Sequence, residues 1–404
     1  MGKKKKKHTK NKKDKKNWQF KQGHYYALID GIPTEEGAIE QMENAMSLPI
    51  SIAGALMPDA HQGYGLPIGG VLATENTIIP YAVGMDIGCR MALSIFFVEN
   101  PENFIIKYRE KLKNILVENT RFGKKTFEGQ AYDTILERPE FHQIPLLKKL
   151  KKIATEQLGT SGQGNHFVEF GIVEIIKDNE IENVPKGKYL GLLSHSGSRH
   201  FGYEIAKYYS AIAEQKINLP NKLKKLAWLE LDTSEGEEYW HAMNLAGDYA
   251  KANHNYIHKR IAKALGIKPL AKIENHHNFA WKEHWNGKDI IIHRKGATPA
   301  NKGDLGIIPG SMTTPAYIIK GKGCKKTLNS ASHGAGRLLS RRKALKTFTW
   351  KQLKQVLKQA DVELIGGGLD EAPMAYKDIN TVINKQQNII DILGKFYPRI
   401  VRMN

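Results

Sequence analysis

Two rhythms of apolar and polar positions run along this chain. In "NFIIKYREKLKNILVEN", in "PLLKKLKKIATEQLG" and in the long span from about Tyr239 to Leu265, apolar residues recur every three or four positions, which predicts helices. "TWKQLKQVLKQADVEL" has the same period and predicts another. By contrast, "HYYALIDGIP" and "GGVLATENTIIPYAVGMDIGCRMALSIFFV" are β-rich runs punctuated by Gly and Pro, which predicts short strands. "KYLGLLSHSGSRHFG" reads as a buried strand that passes through a Gly/Ser loop into a helix, and "KDIIIHRKGATPA" as a short strand followed by a loop. The two kinds of element interleave without regular βαβ spacing and without a fixed-period repeat. A mixed α/β (α+β) body with sizeable sheets is therefore expected.

The residues capable of chemistry collect where these rhythms break. "MPDAHQGYGLPIGG", "VGMDIGCRM", "GTSGQGNHFVEFG", "SHSGSRHFG", "ENHHNFAW", "HRKGATP", "IPGSMTTPAY" and "NSASHGAGR" are Gly-rich or polar breaks, several of them after apolar strands. Loops at strand ends are where a rigid scaffold commonly presents a site. In "NSASHGAGR" one ionisable ring, His333, is set among residues with almost no side-chain bulk. Small neighbours let backbone amides and a ligand approach closely, which suits a phosphate.

Charge narrows the partner. Lys and Arg number 61 against 41 Asp and Glu, a formal net charge of +20, and the first 16 residues hold ten Lys and one Asp. A block of like charge repels itself and has nothing to bury, so residues 1–20 are expected to form a disordered Lys-rich arm. Basic arms and faces attract polyphosphates, which makes nucleic acid the leading partner class. No apolar run is long enough to span a bilayer and the N-terminal region has no secretory apolar segment, so no membrane association and a cytoplasmic location are expected. Only two cysteines occur, which makes a disulfide framework improbable.

Metal ligation follows from the breaks. Asp86 and Cys89 lie three apart in a Gly-bearing turn, close enough to aim at one ion, and a thiolate can bridge two. The remaining ligands would come from His166, His195 and His277, each beside Gly, Ser or Asn. Asp, Cys and His together suit a borderline divalent ion without separating Zn from Mn, Fe or Co.

"PDAHQGYGLPIGGV", "DIGC", "GNHFVE", "HSGSR", "HHN", "PGSM" and "SHGAGR" resemble, in order and from about residue 25 onward, the RtcB family of GTP- and manganese-dependent RNA ligases. The resemblance implies an RtcB-like fold, with large mostly antiparallel sheets around a polar, metal-containing cleft and helices outside. It implies joining of an RNA 3′-phosphate or 2′,3′-cyclic phosphate to a 5′-hydroxyl, as in RNA repair or tRNA splicing, with archease as a possible activating partner. Carried over by position, it makes His333 the nucleophile that accepts GMP and Asp59 its orienting partner. It places one Mn²⁺ on Asp86, Cys89 and His166 and a second on Cys89, His195 and His277. Asn165, Glu169, Asn278, Pro309, Gly310, Ser311, Met312, Gly334, Ala335, Gly336 and Arg402 would bind the nucleotide, and Arg199, Arg337 and Arg341 the GTP or RNA phosphates.

Three departures qualify what is carried over. Arg90 stands where the family usually has Gly, which would place a cation beside the metals. Ala316 replaces a common Ser, and "VRMN" replaces a Lys-Gly ending, which leaves Arg402 as a substitute for the base-contacting Lys. Two other classes stay open: a metal-dependent phosphoesterase that trims cyclic ends without ligating, and an RNA-binding protein with a relic site. Retention of "SHGAGR" argues against the first, and the complete ligand set against the second.

Overall fold

The computed structural model describes residue 19, residues 21–129 and residues 132–404; the expected Lys-rich arm, apart from Gln19, lies outside the described residues. Two sheets organise the chain. The larger has eight strands, ordered Leu305–Ile308, Ala316–Gly321, Ile390–Met403, Phe167–Ile175, Gly187–Ser196, Arg90–Phe96 and Ala271–His276, with Glu363–Ile365 added in parallel to Ile390–Met403. The smaller runs Tyr26–Ala27, Ser51–Tyr64, Leu66–Thr74, Lys288–Lys295 and Asn278–Trp285. Apart from that added strand and Tyr26–Ala27, neighbouring strands in both sheets are antiparallel.

The central strands of the larger sheet read as apolar runs because both faces are covered. Leu190 and Leu192 pack with Ile257 and Ile261 of the helix Ser234–Leu265, while Leu193, one residue out of phase, packs with Met91, Ile273, Ile318 and Phe396. That helix begins where the Thr233 hydroxyl accepts from the Gly236 amide, with Glu235 and Glu237 in its first turn, and it ends at Gly266 in the left-handed conformation. The predicted helices appear at Pro101–Asn119, Pro145–Gln157, Ser234–Leu265 and Trp350–Gln359.

Three local expectations are corrected. "MPDAHQGYGLPIGG" is not a loop after a strand but two long strands joined at Gly65. Between the pairs Leu56↔Gly70 and His61↔Ile68 the first strand carries three more residues than its partner, and this bulge contains Asp59. In "HYYALIDGIP" only Tyr26–Ala27 is strand, and Pro80–Val83 forms a single helical turn inside the long segment expected to be β-rich. Pro80 at the first turn has no amide to lose there.

Candidate active site

Adjacent ends of the larger sheet's strands bring the predicted metal ligands together. His195 ends the Gly187–Ser196 strand opposite Phe167 on one side and Met91 on the other, so His166 and Cys89 fall beside it. The Asp86–Cys89 turn closes through Cys89 N to Asp86 O at 3.2 Å, and His277 N donates to Cys89 O at 3.0 Å. Cys89 Sγ then lies 3.3 Å from His166 Nε2 and 3.1 Å from His195 Nε2. Asp86 Oδ2 is 3.0 Å from His166 Nε2, and His277 Nε2 is 3.2 Å from His195 Nε2. All five expected ligands therefore form one connected cluster. Gly197 makes room for it, since a Cβ there would stand 2.3 Å from Asp86 Oδ1.

This donor set fits a cation. His195 Nδ1 can only donate to the Asn165 carbonyl, at 2.9 Å, so its neutral ring aims the Nε2 lone pair at Cys89 and His277. Burial, followed by the charge of His166, pulls His195 down to about 3 and keeps it neutral. Burial pulls His277 well below its ordinary range, reinforced by His333 and His195. His166 Nδ1 and His277 Nδ1 are buried without partners among the described residues. Burial raises the Cys89 thiol, and Asp86 raises it further, so without a neighbouring cation the thiol keeps its proton. Burial also works to raise Asp86, but the hydrogen bond and charge of His166 outweigh it and the carboxyl falls below its usual range. Convergent imidazole lone pairs, a thiol and a carboxylate form a site that a divalent ion satisfies.

The second half of the site comes from the bulge. Asp59 is fully buried, and its Oδ2 accepts from His333 Nδ1 at 2.7 Å, His333 N at 3.1 Å and Gly334 N at 3.3 Å. With Nδ1 donating, Nε2 of the neutral His333 ring carries the lone pair. Lys377 Nζ holds the bulge by donating to Pro58 O at 3.1 Å and Ala60 O at 2.7 Å. Gly336, at φ +76°, is required twice over, because a Cβ there would also collide with Asp59 O.

Both halves open into one cavity of about 850 Å³. It is lined by His333, Asp86, Cys89, His166, His195, His277, Asn165, Glu169 and Asn278, by 309–312 and by 334–337 with Arg341. The bulge withdraws Asp59 behind His333, and Asp59 is not part of the lining. Asn165 Oδ1 accepts from Arg341 at 3.3 Å, while the Asn278 amide is held between Gly296 N and Asp86 O. The Glu169 side chain makes no hydrogen bond or ion pair among the described residues, and burial raises its carboxyl well above the usual range.

Three arginines stand apart from expectation. Arg90 is buried and turns its guanidinium to Glu274 at 3.6 Å and His276 at 3.4 Å, while its charge still acts on the neighbouring Cys89 thiol, which it works to lower. Arg402 does not line the cavity: strand alternation gives Val401 and Met403 to the wall, and the Arg402 guanidinium lies 5.7 Å from the Phe122 ring centroid. Arg199 also lies behind the cavity wall, donating to Thr160 and to the Gly123 carbonyl.

Two further residues belong to the site. Glu371, almost fully buried, accepts from Arg337 at 3.0 Å and Arg341 at 2.8 Å and fixes both guanidinium groups at the cavity. Lys295 lines the cavity, and burial, with Lys225 nearby, pulls its ammonium down to about 7. Lys295 stood in the quoted "HRKGATP" break, and Glu371 followed a run of three glycines, which were the available signals.

Comparison with known proteins shows the family. The sequence model of a family described as tRNA-splicing ligase RtcB matches residues 41–138 and 102–403. RNA-splicing ligase RtcB of Escherichia coli (strain K12) is 30% identical over 394 residues, which cover 90% of this chain and 93% of that protein. RNA-splicing ligase RtcB homolog 1 of Entamoeba dispar is 32% identical over 437 residues, covering 90% and 81%. tRNA-splicing ligase RtcB of Thermococcus kodakarensis is 29% identical over 440 residues, covering 90% of each.

Proposed function

The chain belongs to the RtcB family, and from that membership and the cavity we propose that it is a GTP-dependent RNA ligase. It joins RNA 3′-phosphate or 2′,3′-cyclic-phosphate ends to 5′-hydroxyl ends in the cytoplasm, with residues 21–404 acting as one catalytic domain. The observation that carries the reading is His333, its Nδ1 held 2.7 Å from a buried carboxylate while it shares a cavity with a Cys/His cluster.

Asp59 fixes the tautomer, so His333 Nε2 is the nucleophile toward the α-phosphorus of GTP. A P–N bond forms, the α–β bridging P–O bond breaks, and pyrophosphate leaves with that electron pair. A 2′,3′-cyclic phosphate is first opened by water to a 3′-phosphate, and an oxygen of the RNA 3′-phosphate then attacks the guanylate phosphorus, breaking the P–N bond and freeing His333. Attack by the 5′-hydroxyl on the RNA phosphorus of the activated 3′ end closes the phosphodiester and releases GMP. Two Mn²⁺, one on Asp86, Cys89 and His166 and the other on Cys89, His195 and His277, would neutralise the triphosphate and polarise its oxygens.

Arg337 and Arg341, fixed by Glu371, supply guanidinium groups to phosphate in the cavity. Asn165, Asn278 and the 309–312 and 334–336 backbone line the path of the nucleotide. Glu169, as a carboxylate, accepts from the donor edge of guanine, in a pocket walled by Phe167, Ala316, Val401 and Met403. Arg199 supports phosphate binding from behind the wall, and archease is a candidate activator.

The deciding experiment is incubation with α-labelled GTP and Mn²⁺. Covalent label on the parent protein and none on His333→Ala is expected. No label on the parent, with GTP binding confirmed, would replace ligation by phosphoesterase chemistry.

A further inference from the structure

Tyr64 sits at the cavity mouth with 62% of its surface exposed, although its backbone is pinned from several sides. Its carbonyl accepts from Lys295 Nζ. The preceding Gly63 exchanges two hydrogen bonds with the Gln41 side chain, at 2.7 and 3.0 Å. The following Gly65, at φ +73°, turns so close to the Asn221–Leu226 segment that a Cβ would stand 2.7 Å from Lys225 O. The tip is thus held in place while the ring it carries stays in solvent.

Packing does not account for that ring. Among the described residues no aromatic ring stacks on it and its hydroxyl makes no hydrogen bond, while Lys225 Nζ lies 4.0 Å from the ring centroid. A cation at that distance orients an aromatic ring. The same wall reaches the nucleophile: Lys295, which holds Tyr64, precedes Gly296, and a Cβ on Gly296 would stand 3.1 Å from His333 Cε1. Arg341, which also lines the cavity, has a half-exposed side chain.

We propose that Tyr64 is a stacking platform for the terminal nucleobase of an RNA end entering the cavity, with Lys225 orienting the ring and meeting the adjacent backbone phosphate. The inference rests on the RNA-ligase reading, and it adds a subsite to it. Stacking uses the π-face that every base has, so this subsite tolerates any base and requires that one be present. An unpaired end fits better than a duplex, because a terminal base still paired to its partner is not free to swing onto the ring.

The test uses the full chain and two RNAs, one with 2-aminopurine at a 3′-phosphate end and one with it at a 5′-hydroxyl end. Stacking should quench the fluorescence of at least one RNA on the parent and on Tyr64→Phe. The quench should vanish on Tyr64→Ala, with affinity falling roughly 10- to 100-fold. An RNA whose terminal nucleotide is abasic should bind the parent as weakly as the intact RNA binds Tyr64→Ala, a comparison that holds the parent fold fixed. No quench with either RNA, or an abasic RNA bound as tightly as the intact one, overturns the proposal. The ligase reading fails separately, through absence of label on His333 in the parent, while these binding measurements need neither nucleotide nor metal.

Discussion

The Gly187–Ser196 strand carries histidine clusters on both faces, and they differ in how far their ring nitrogens are partnered. On the helix side, Ser194 Oγ meets His254 Nδ1 at 2.7 Å and His258 Nε2 at 2.8 Å. His258 Nδ1 meets Ser94 Oγ at 2.7 Å, and His254 Nε2 meets Ser196 O at 3.1 Å. Every ring nitrogen of that pair has a partner. On the cavity side, His166 Nδ1 and His277 Nδ1 have none, and two Nε2 atoms face each other at 3.2 Å. Both clusters are buried, and burial depresses His254 and His258 as it depresses His195 and His277. Burial and a shifted pKa therefore do not tell a site from a scaffold. What separates these two clusters is bonding capacity left unused beside a cavity, since unpartnered atoms alone also occur in the scaffold, at Tyr239 and Ser210.

The largest expected contrast comes from deleting one member of each cluster. Cys89→Ala should abolish guanylylation and weaken Mn²⁺ binding by more than the roughly 10- to 100-fold that losing even an indirect partner costs. The melting temperature of its metal-free form should change little. Unaltered Mn²⁺ titration would break the comparison at its functional end. His258→Ala should do the reverse: a loss of about 2–4 kcal/mol in urea unfolding, from a cavity and from orphaned Ser94 and Ser194 hydroxyls, with Mn²⁺ stoichiometry retained. Loss of metal at unchanged stability would show that the inner cluster is part of the site.

Acid should sharpen the same contrast. Burial, helped by the Lys272 charge, takes His258 from 6.5 down to about 3, so below 6.5 the unfolded chain binds a proton that the folded chain refuses. Its contribution to stability is complete above that value and is lost as pH falls toward 3, at up to about 1.4 kcal/mol per pH unit. In metal-free protein, His258→Gln should flatten the measured slope of unfolding free energy against pH by one proton. An unchanged slope would mean that His258 is protonated in the fold.

The smallest effect concerns the lone carboxyl. Burial raises Glu169, so the unfolded chain ionises first and folded stability falls as pH rises through the usual carboxylate range. Glu169→Gln should therefore melt higher at neutral pH, by roughly 1 kcal/mol, while losing preference for GTP over ATP in the labelling assay. A lower melting temperature would assign Glu169 to the scaffold.

The chain announces its site more openly than its scaffold. Asp86, Cys89, His166, His195, His277 and His333 could be named from ordered motifs, because ligand chemistry restricts residue type at each position. What those motifs conceal is how the backbone delivers them. The Asp59 segment, full of Gly and polar residues, has the composition of a loop, and only pairing across to Ile68 and Gly70 makes it a bulged strand. His254 and His258, spaced i and i+4, read as ordinary helix positions, since their partners Ser194 and Ser94 lie 60 and 164 residues away. Arg402 adjoins two residues of the cavity wall, yet alternation along the strand turns it away, and that depends on a register that composition does not encode.

The bond between Asp59 and His333 also sets a schedule. Its partners are 274 residues apart, and at roughly 5–20 residues per second the carboxylate waits about 14–55 s during synthesis for its imidazole. The five predicted metal ligands emerge within that interval, the last of them at position 277. A nascent chain thus exposes its five expected ligands before His333, and the cavity segments 309–312 and 334–337 with Arg341 complete the lining only around and after that residue.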